Sequence, residues 1–203
     1  RGPDSSGYYR DNQASLGHTR LAIIDLETGT QPLSNEDETI WITFNGEIFN
    51  YVELAIELSN RGHRFKTKSD TEVIVHAYEE WGVSCFERFN GQWALALWDR
   101  RKGKVLLSRD RFGIRPLYYT FCHHKFLFAS EIKALFADKD VDRRFYPAGL
   151  DEIFTFWSPI APKTAFEGIE ELRPGHFAIV ENGEIMTKPY WNISFPHADS
   201  EAP

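Results

Sequence analysis

The apolar positions of this chain change their spacing twice, and the changes divide it into blocks. Residues 1–17 are rich in Gly, Ser, Asp and Asn and read as loop, with a short strand near Tyr8-Tyr9. Leu21-Ala22-Ile23-Ile24 reads as a short buried strand. Residues 27–37, with Gly29, Pro32, Ser34 and Asn35, read as a connection. Residues 39–44 are β-branched and aromatic, which predicts a strand. Two stretches at helical spacing follow. Residues 51–61 put Val52, Ala55, Ile56 and Ser59 on one stripe and stop at Gly62. Residues 70–81 do the same with Val73, Ile74, Ala77, Tyr78 and Trp81 and stop at Gly82. A shorter amphipathic turn covers residues 83–89.

The period then falls to two. Residues 93–98, 104–108, 116–119 and 125–129 predict strands joined by short turns, an antiparallel meander. Helices are expected over residues 131–138 and 150–157. A final hairpin joins residues 177–180 to 184–187 around Asn182-Gly183, a strong two-residue turn signal. Residues 1–196 are expected to form one domain, and the polar residues 197–203 a linker. Strands outnumber helices, and the helices come in a block, so the expected class is α+β with helices covering antiparallel sheets.

Composition narrows the function. The 203 residues suit one domain with a sizeable core, and the net charge of −7 argues against a nucleic-acid or anionic-membrane surface. The longest basic run, Arg100-Arg101-Lys102, sits beside Gly103 and reads as a hairpin turn. No apolar run approaches the ~20 residues that span a bilayer, and no secretory signal is evident. Two cysteines, Cys85 and Cys122, make no disulfide framework, which favours a reducing, cytoplasmic setting. The first residue is Arg1 and the single methionine is Met186, so the natural chain is expected to start upstream.

Three clusters could carry chemistry. His18-Thr19-Arg20 precedes an apolar run. Arg20 is either a surface arginine or a fork-shaped donor for a carboxylate. Asn45-Gly46-Glu47 closes the strongest strand and leads directly into a helix, so this Asn-Gly is no hairpin. An Asn side-chain amide and a Gly N–H at a strand end can both point at one oxygen, as in an oxyanion hole, and glycine lets a substrate approach the backbone. A plain turn remains the alternative. Ser69-Asp70-Thr71-Glu72 begins a helix. Ser69 and Glu72 fit a capping box, and Asp70 is a first-turn carboxylate that the helix dipole keeps ionised, as an ammonium partner would require. Cys85, near Phe86 and Phe89, reads as core. Cys122, His123 and His124 are adjacent and cannot chelate like a spaced set, so no metal site is expected. No phosphate loop is present.

With these clusters in view, the sequence resembles the glutaminase (class II amidotransferase) domain of glutamine-dependent asparagine synthetases over nearly its whole length. The resemblance is carried by residues 1–7 (Arg1-Gly2-Pro3-Asp4-Ser5-Ser6-Gly7), 18–25, Gln31-Pro32-Leu33, 44–51, 69–73, 108–119, 128–135 and Leu172-Arg173-Pro174-Gly175. It implies the N-terminal-nucleophile hydrolase fold, in which two stacked antiparallel sheets are covered by helices on both outer faces, a four-layer αββα sandwich. It also implies roles. Arg20 would hold the α-carboxylate of L-glutamine, and Glu47 and Asp70 its α-ammonium. Backbone groups near Ile23 and Ile24 would line the pocket, and Asn45 with the Gly46 N–H would hold the oxyanion. The family's nucleophile is an N-terminal cysteine, expected several tens of residues before Arg1. Cys85 and Cys122 match nothing catalytic, so the chain by itself is expected to be inactive. The implied partner is a C-terminal synthetase domain using ATP and Mg, with no cofactor in the glutaminase domain. Oligomeric state, homodimer included, stays open, as does the acceptor, aspartate or another carboxylate. A non-catalytic scaffold and a glutamine-binding module are the competing readings. The joint presence of Arg20, Asn45, Glu47 and Asp70 weighs against the scaffold.

Overall fold

The computed structural model describes residues 2–25 and 28–195; the proposed linker 197–203 lies outside them. Strands β1 (Ser5–Arg10) and β2 (Ser15–Arg20) pair antiparallel, with Ser5 opposite Arg20. Asp11 closes their turn by accepting from the Gln13 and Ala14 N–H groups at 2.8 and 2.7 Å. Residues 21–24, expected as a buried strand, are instead loop, with Leu21 64% and Ile23 60% exposed. The cause is Arg20, whose guanidinium donates to the Ile24 and Asp25 carbonyls and folds the chain back on itself.

Strands β3 (Leu33–Ser34), β4 (Ile40–Ile48), β5 (Gly91–Asp99), β6 (Lys104–Arg109), β10 (His176–Glu181) and β11 (Glu184–Pro189) build a six-stranded antiparallel sheet in the order β11-β10-β6-β5-β4-β3. β4 runs on past Phe44 to Ile48, so Asn45-Gly46 is neither turn nor strand end but lies within the ladder, opposite Ala94 and Trp93. Gly46 has φ 153, and a Cβ there would sit 2.0 Å from the Gln92 carbonyl oxygen. The close approach that requires this glycine is therefore to the neighbouring strand.

Helices α1 (Tyr51–Asn60), α2 (Asp70–Trp81) and α3 (Cys85–Arg88) cover one face of this sheet. The main core lies between them, joining Ile42, Phe44 and Ile48 of β4 to Leu58, Ile74 and Phe86. Of the largest fully buried side chains, only Leu107 and Leu172 lie outside it. Burying one such side chain contributes about 2 kcal/mol, so this interface is the chief source of stability. α2 buries Val73, Ile74, Ala77 and Tyr78 as expected, but Trp81 is only partly buried, and the helix is covered all round from Asp70 to Tyr78. α1 does not bury the expected stripe: it buries Leu54 and Leu58, while Val52 and Ile56 stay exposed. Both stripes of α1 are apolar, and the one with Leu54 and Leu58 packs into the main core, while Asn50 ahead of the helix donates to the Arg88 carbonyl and accepts from the Asn90 N–H.

The meander breaks after β6, which pairs with β10 and not with the next strand. The chain crosses instead to a second sheet, β8 (Lys125–Ala129), β7 (Tyr118–Cys122) and β9 (Glu170–Glu171). The crossing is held by two buried charges. Asp110, fully buried, accepts from the N–H groups of Trp93, Phe112, Ile114 and Arg115 at 3.0–3.2 Å. Arg109 donates to the Gly113, Arg115 and Leu172 carbonyls, each at 2.7 Å, and pairs with Glu171 at 2.8 Å. Small side chains, Ala94, Ala96 and Ala178, let the sheets meet over Leu117, Tyr119 and Leu172. The β1–β2 pair lies in the same second layer, with Tyr9 stacked on Trp41 and Trp98 donating to Asp11 at 2.9 Å. Helix α4 (Ile132–Leu135) closes the outer side through Leu135, and α5 (Pro147–Phe156) follows, one turn earlier than expected. The layers thus run helix, sheet, sheet, helix. Trp157, just after α5, is 93% exposed and no part of the core.

Asp110→Asn turns one acceptor oxygen into a donor aimed at backbone donors. It is expected to cost about 3 kcal/mol of folding stability in a urea melt, whereas Asp142→Asn at the exposed surface should leave the midpoint unchanged.

Candidate active site

Three element ends meet on one side of β4. β2 ends on Arg20, β4 carries Asn45, Gly46 and Glu47, and α2 begins on Asp70. Along β4 the amides alternate between the β5 ladder and the open edge. Those on the open edge are identified by their partners: Ile40 donates to Asn35, Phe44 to the Gln31 side chain at 2.7 Å and Ile48 to the Asp70 carboxylate at 3.0 Å. Gly46 lies between Phe44 and Ile48 at the same parity, so its N–H points off the same edge. The side chains alternate as well. Trp41, Thr43, Asn45 and Glu47 face the second layer, where His18 Nδ1 lies 3.2 Å from Thr43 Oγ1. That contact brings the Arg20 end of β2 over Asn45 and Glu47. Asn45 is exposed, and among the described residues its amide makes no hydrogen bond.

Arg20 is buried beside the start of α2. A Cβ at Gly29 would lie 2.6 Å from Arg20 Nη2 and 3.3 Å from Ser69 Oγ, so this glycine keeps the two together. Arg20 donates to the Ile24 carbonyl at 3.0 Å, which engages one of the backbone groups expected to line the pocket. Asp25 then accepts from the Lys68 N–H at 2.8 Å and ties the loop to the approach of α2.

The capping box is half formed. Ser69 Oγ accepts from Thr71 N–H at 3.2 Å, but Glu72 turns away to accept from the Lys66 and Thr67 N–H groups at 2.8 and 2.7 Å. Burial raises the Glu72 pKa, yet the nearby His76 imidazole and the hydrogen bonds from Lys66 and Thr67 outweigh it and bring the value to about 2. Asp70 behaves oppositely. Burial pushes its pKa above the usual carboxylate value, the Glu47 charge adds to this, and the hydrogen bonds from Ile48, Thr71 and Ser69 do not compensate. Asp70 heads α2 as expected, and desolvation works against its charged form. A cation beside Glu47 and Asp70 would reverse the balance. His18 is held below its ordinary pKa by burial and by the Arg20 charge.

Sequence reasoning gave no role to Gln31. Its buried amide accepts from Phe44 N–H and donates to Thr71 Oγ1 at 3.3 Å, linking β4 to α2. The only signal was its presence in Gln31-Pro32-Leu33. Cys85 is fully buried, with a thiol pKa raised by desolvation, and Cys122 donates to the Asp140 carbonyl at 3.0 Å, so neither thiol reaches this cluster as a nucleophile.

A guanidinium, two neighbouring carboxylates and an edge N–H beside an exposed amide suit a small zwitterion with a reacting carbonyl. The family model described as glutamine amidotransferase domain matches residues 1–191, and the chain belongs to that family. Within it, the chain is similar to the protein named asparagine synthetase [glutamine-hydrolyzing] 3 of Bacillus subtilis, at 41% identity over 98% of this chain and 33% of that protein. Amidase chry2 of Gibberella zeae is 35% identical over 97% of this chain and 29% of its own length. The chain therefore spans about a third of the length of the curated relatives it matches. Among solved structures, glutamine phosphoribosylpyrophosphate amidotransferase from B. subtilis superposes with a TM-score of 0.62 at 20% identity, covering 87% of this chain and 35% of that one. That likeness speaks for the fold, the αββα sandwich of the N-terminal-nucleophile hydrolases.

Asp70 makes a prediction that separates stability from function. Its raised folded pKa means that the folded state keeps a proton that the unfolded chain gives up, so stability falls as pH rises from the ordinary Asp value of 3.8 through the folded value. Asp70→Asn, which keeps the acceptor for Ile48, should therefore match or exceed the parent's melting temperature at pH 7, with the gain fading toward pH 3, while ligand binding at the site is lost.

Proposed function

We propose that this chain is the glutaminase domain of an enzyme of the asparagine-synthetase type and that the Arg20–Asn45–Gly46–Glu47–Asp70 cluster binds L-glutamine. Arg20 holds the α-carboxylate, Glu47 and Asp70 the α-ammonium. The Gly46 N–H and the Asn45 amide face the side-chain carbonyl, where negative charge develops as it is attacked. The observation that carries the reading is the Gly46 N–H on the open edge of β4, set between amides already taken by Gln31 and Asp70. The nucleophile is an N-terminal cysteine supplied by residues outside these 203. Its thiolate forms the thioester, its α-amino group takes the thiol proton and passes one to the departing ammonia, and water releases glutamate. The ammonia serves an ATP- and Mg-dependent amidation in a separate synthetase domain. Relatives named as asparagine synthetases and as an amidase keep both aspartate and other carboxylates open as acceptor. We read the protein as cytoplasmic; no helix among the described residues is long and apolar enough to cross a membrane.

The test is glutamate release by the full-length protein, alongside the present chain. Full-length protein should turn glutamine over and the 203-residue chain should not. In the full-length protein Asn45→Ala should lower kcat by about 10²–10³-fold with little change in KM, and Arg20→Gln should act mainly on KM. Turnover by the full-length protein that ignores both substitutions sinks the assignment. If the full-length protein is silent but calorimetry shows glutamine binding, the domain is a sensor rather than a glutaminase.

A further inference from the structure

Away from the glutamine cluster, His63, His76 and Glu79 bring one ligand atom each to within 4.8 Å of one another. His76 and Glu79 are one turn apart on α2, and His63 lies in the connection after α1. His76 Nδ1 is 2.7 Å and His63 Nδ1 3.7 Å from the same carboxylate oxygen, Glu79 Oε2. These separations bracket the ~3.4 Å between ligands about 2.1 Å from a tetrahedral centre. We infer that His63, His76 and Glu79 form a binding site for a divalent cation of the zinc class, with solvent as the fourth ligand.

The surroundings have the form that such ions favour. Each imidazole that turns Nδ1 to the centre turns Nε2 to a carboxylate, His63 to Glu80 at 3.2 Å and His76 to Glu72 at 3.7 Å. A carboxylate behind a histidine fixes its tautomer and raises its basicity toward a metal. Glu79 is oriented likewise, its Oε1 accepting from Asn35 Nδ2 at 2.8 Å. His76 is 1% exposed and its Nε2 has no hydrogen-bond partner. That is a costly state for a ring held only as packing, and a shift of a few tenths of an ångström toward Glu72 relieves it. His63 and Glu79 remain partly open, which gives an ion a way in.

The competing account is a buried ion pair, with His76 protonated between Glu72 and Glu79. Burial alone would lower its pKa, but these carboxylates raise it to about 9. A metal must displace that proton, so uptake should strengthen as pH rises from 6 to 8. Bound there, the ion would clip the α1–α2 connection to α2, the helix that begins on Asp70. It would also revise the expectation, drawn from sequence alone, that the chain holds no metal.

The experiment is calorimetric titration of the chelator-treated chain with Zn²⁺, with Co²⁺ absorption reporting nitrogen and oxygen ligation. One saturable equivalent is expected. His63→Ala, at a partly open position, should weaken it by at least about tenfold, and Glu79→Gln likewise, with circular dichroism showing that each variant is folded at the titration temperature. No saturable uptake, or uptake unchanged by both substitutions and lost instead with His123→Ala and His124→Ala, overturns the site and leaves the ion pair.

Discussion

The buried carboxylate of Asp110 is what makes two sheets out of one run of strands. A chain leaving β6 would by default turn back as the next strand of the same sheet, and the alternation of residues 116–129 invites that arrangement. Asp110 instead gathers four N–H groups from β5 and from the loop that follows it, and Arg109 gathers three carbonyls and Glu171. Neither charge could be buried without these partners. Once they are satisfied, the chain is committed to crossing, β7 lies over the alanine-lined face of the first sheet, and helices can cover both outer faces.

The same logic of satisfied edges builds the candidate site. β3 is too short to cover β4, so the outer amides of β4 need partners from elsewhere. Asn35, Gln31 and Asp70 supply them at Ile40, Phe44 and Ile48. Asn35 and Gln31 come from the connection that precedes β4 and Asp70 from α2, and Gln31 with Asp70 fixes the end of β4 against the start of α2. Gly46 lies between them on the same edge, and on the other side its backbone is drawn close to Gln92. The strand edge that would otherwise be a liability becomes the place where a carbonyl can be met.

How much of this could be read from the sequence depended on whether one segment decided its own fate. α2 could be read, since a single unambiguous stripe, Val73, Ile74, Ala77 and Tyr78, meets the core. α1 could not, because it carries two apolar stripes, and which of them, Leu54 with Leu58 or Val52 with Ile56, meets the core is decided by tertiary packing. Residues 21–24 look like a strand in isolation and are loop because Arg20 takes the carbonyls of Ile24 and Asp25. The candidate residues Arg20 and Asp70 stood out as polar groups at the junctions of elements, whereas Asn45 and Glu47, read as closing a strand, lie within the β4 ladder. Gln31 did not stand out, since its value lies wholly in an amide of β4 and a hydroxyl of α2 that no local pattern connects to it.

Desolvation explains why this cluster reads as a binding site and not as a structural brace. At a brace, hydrogen bonds and charges hold a carboxylate ionised, as they do at Glu72, whose pKa falls to about 2. Asp70 sits two residues earlier on the same helix, with comparable hydrogen bonding, yet its pKa moves up because Glu47 stands beside it and solvent is excluded. A fold selected for stability alone would have neutralised one of the two. On the proposed reading, the ammonium of an amino acid coming between Glu47 and Asp70 would relieve that burial, and the buried guanidinium of Arg20 would meet the carboxylate of the same ligand.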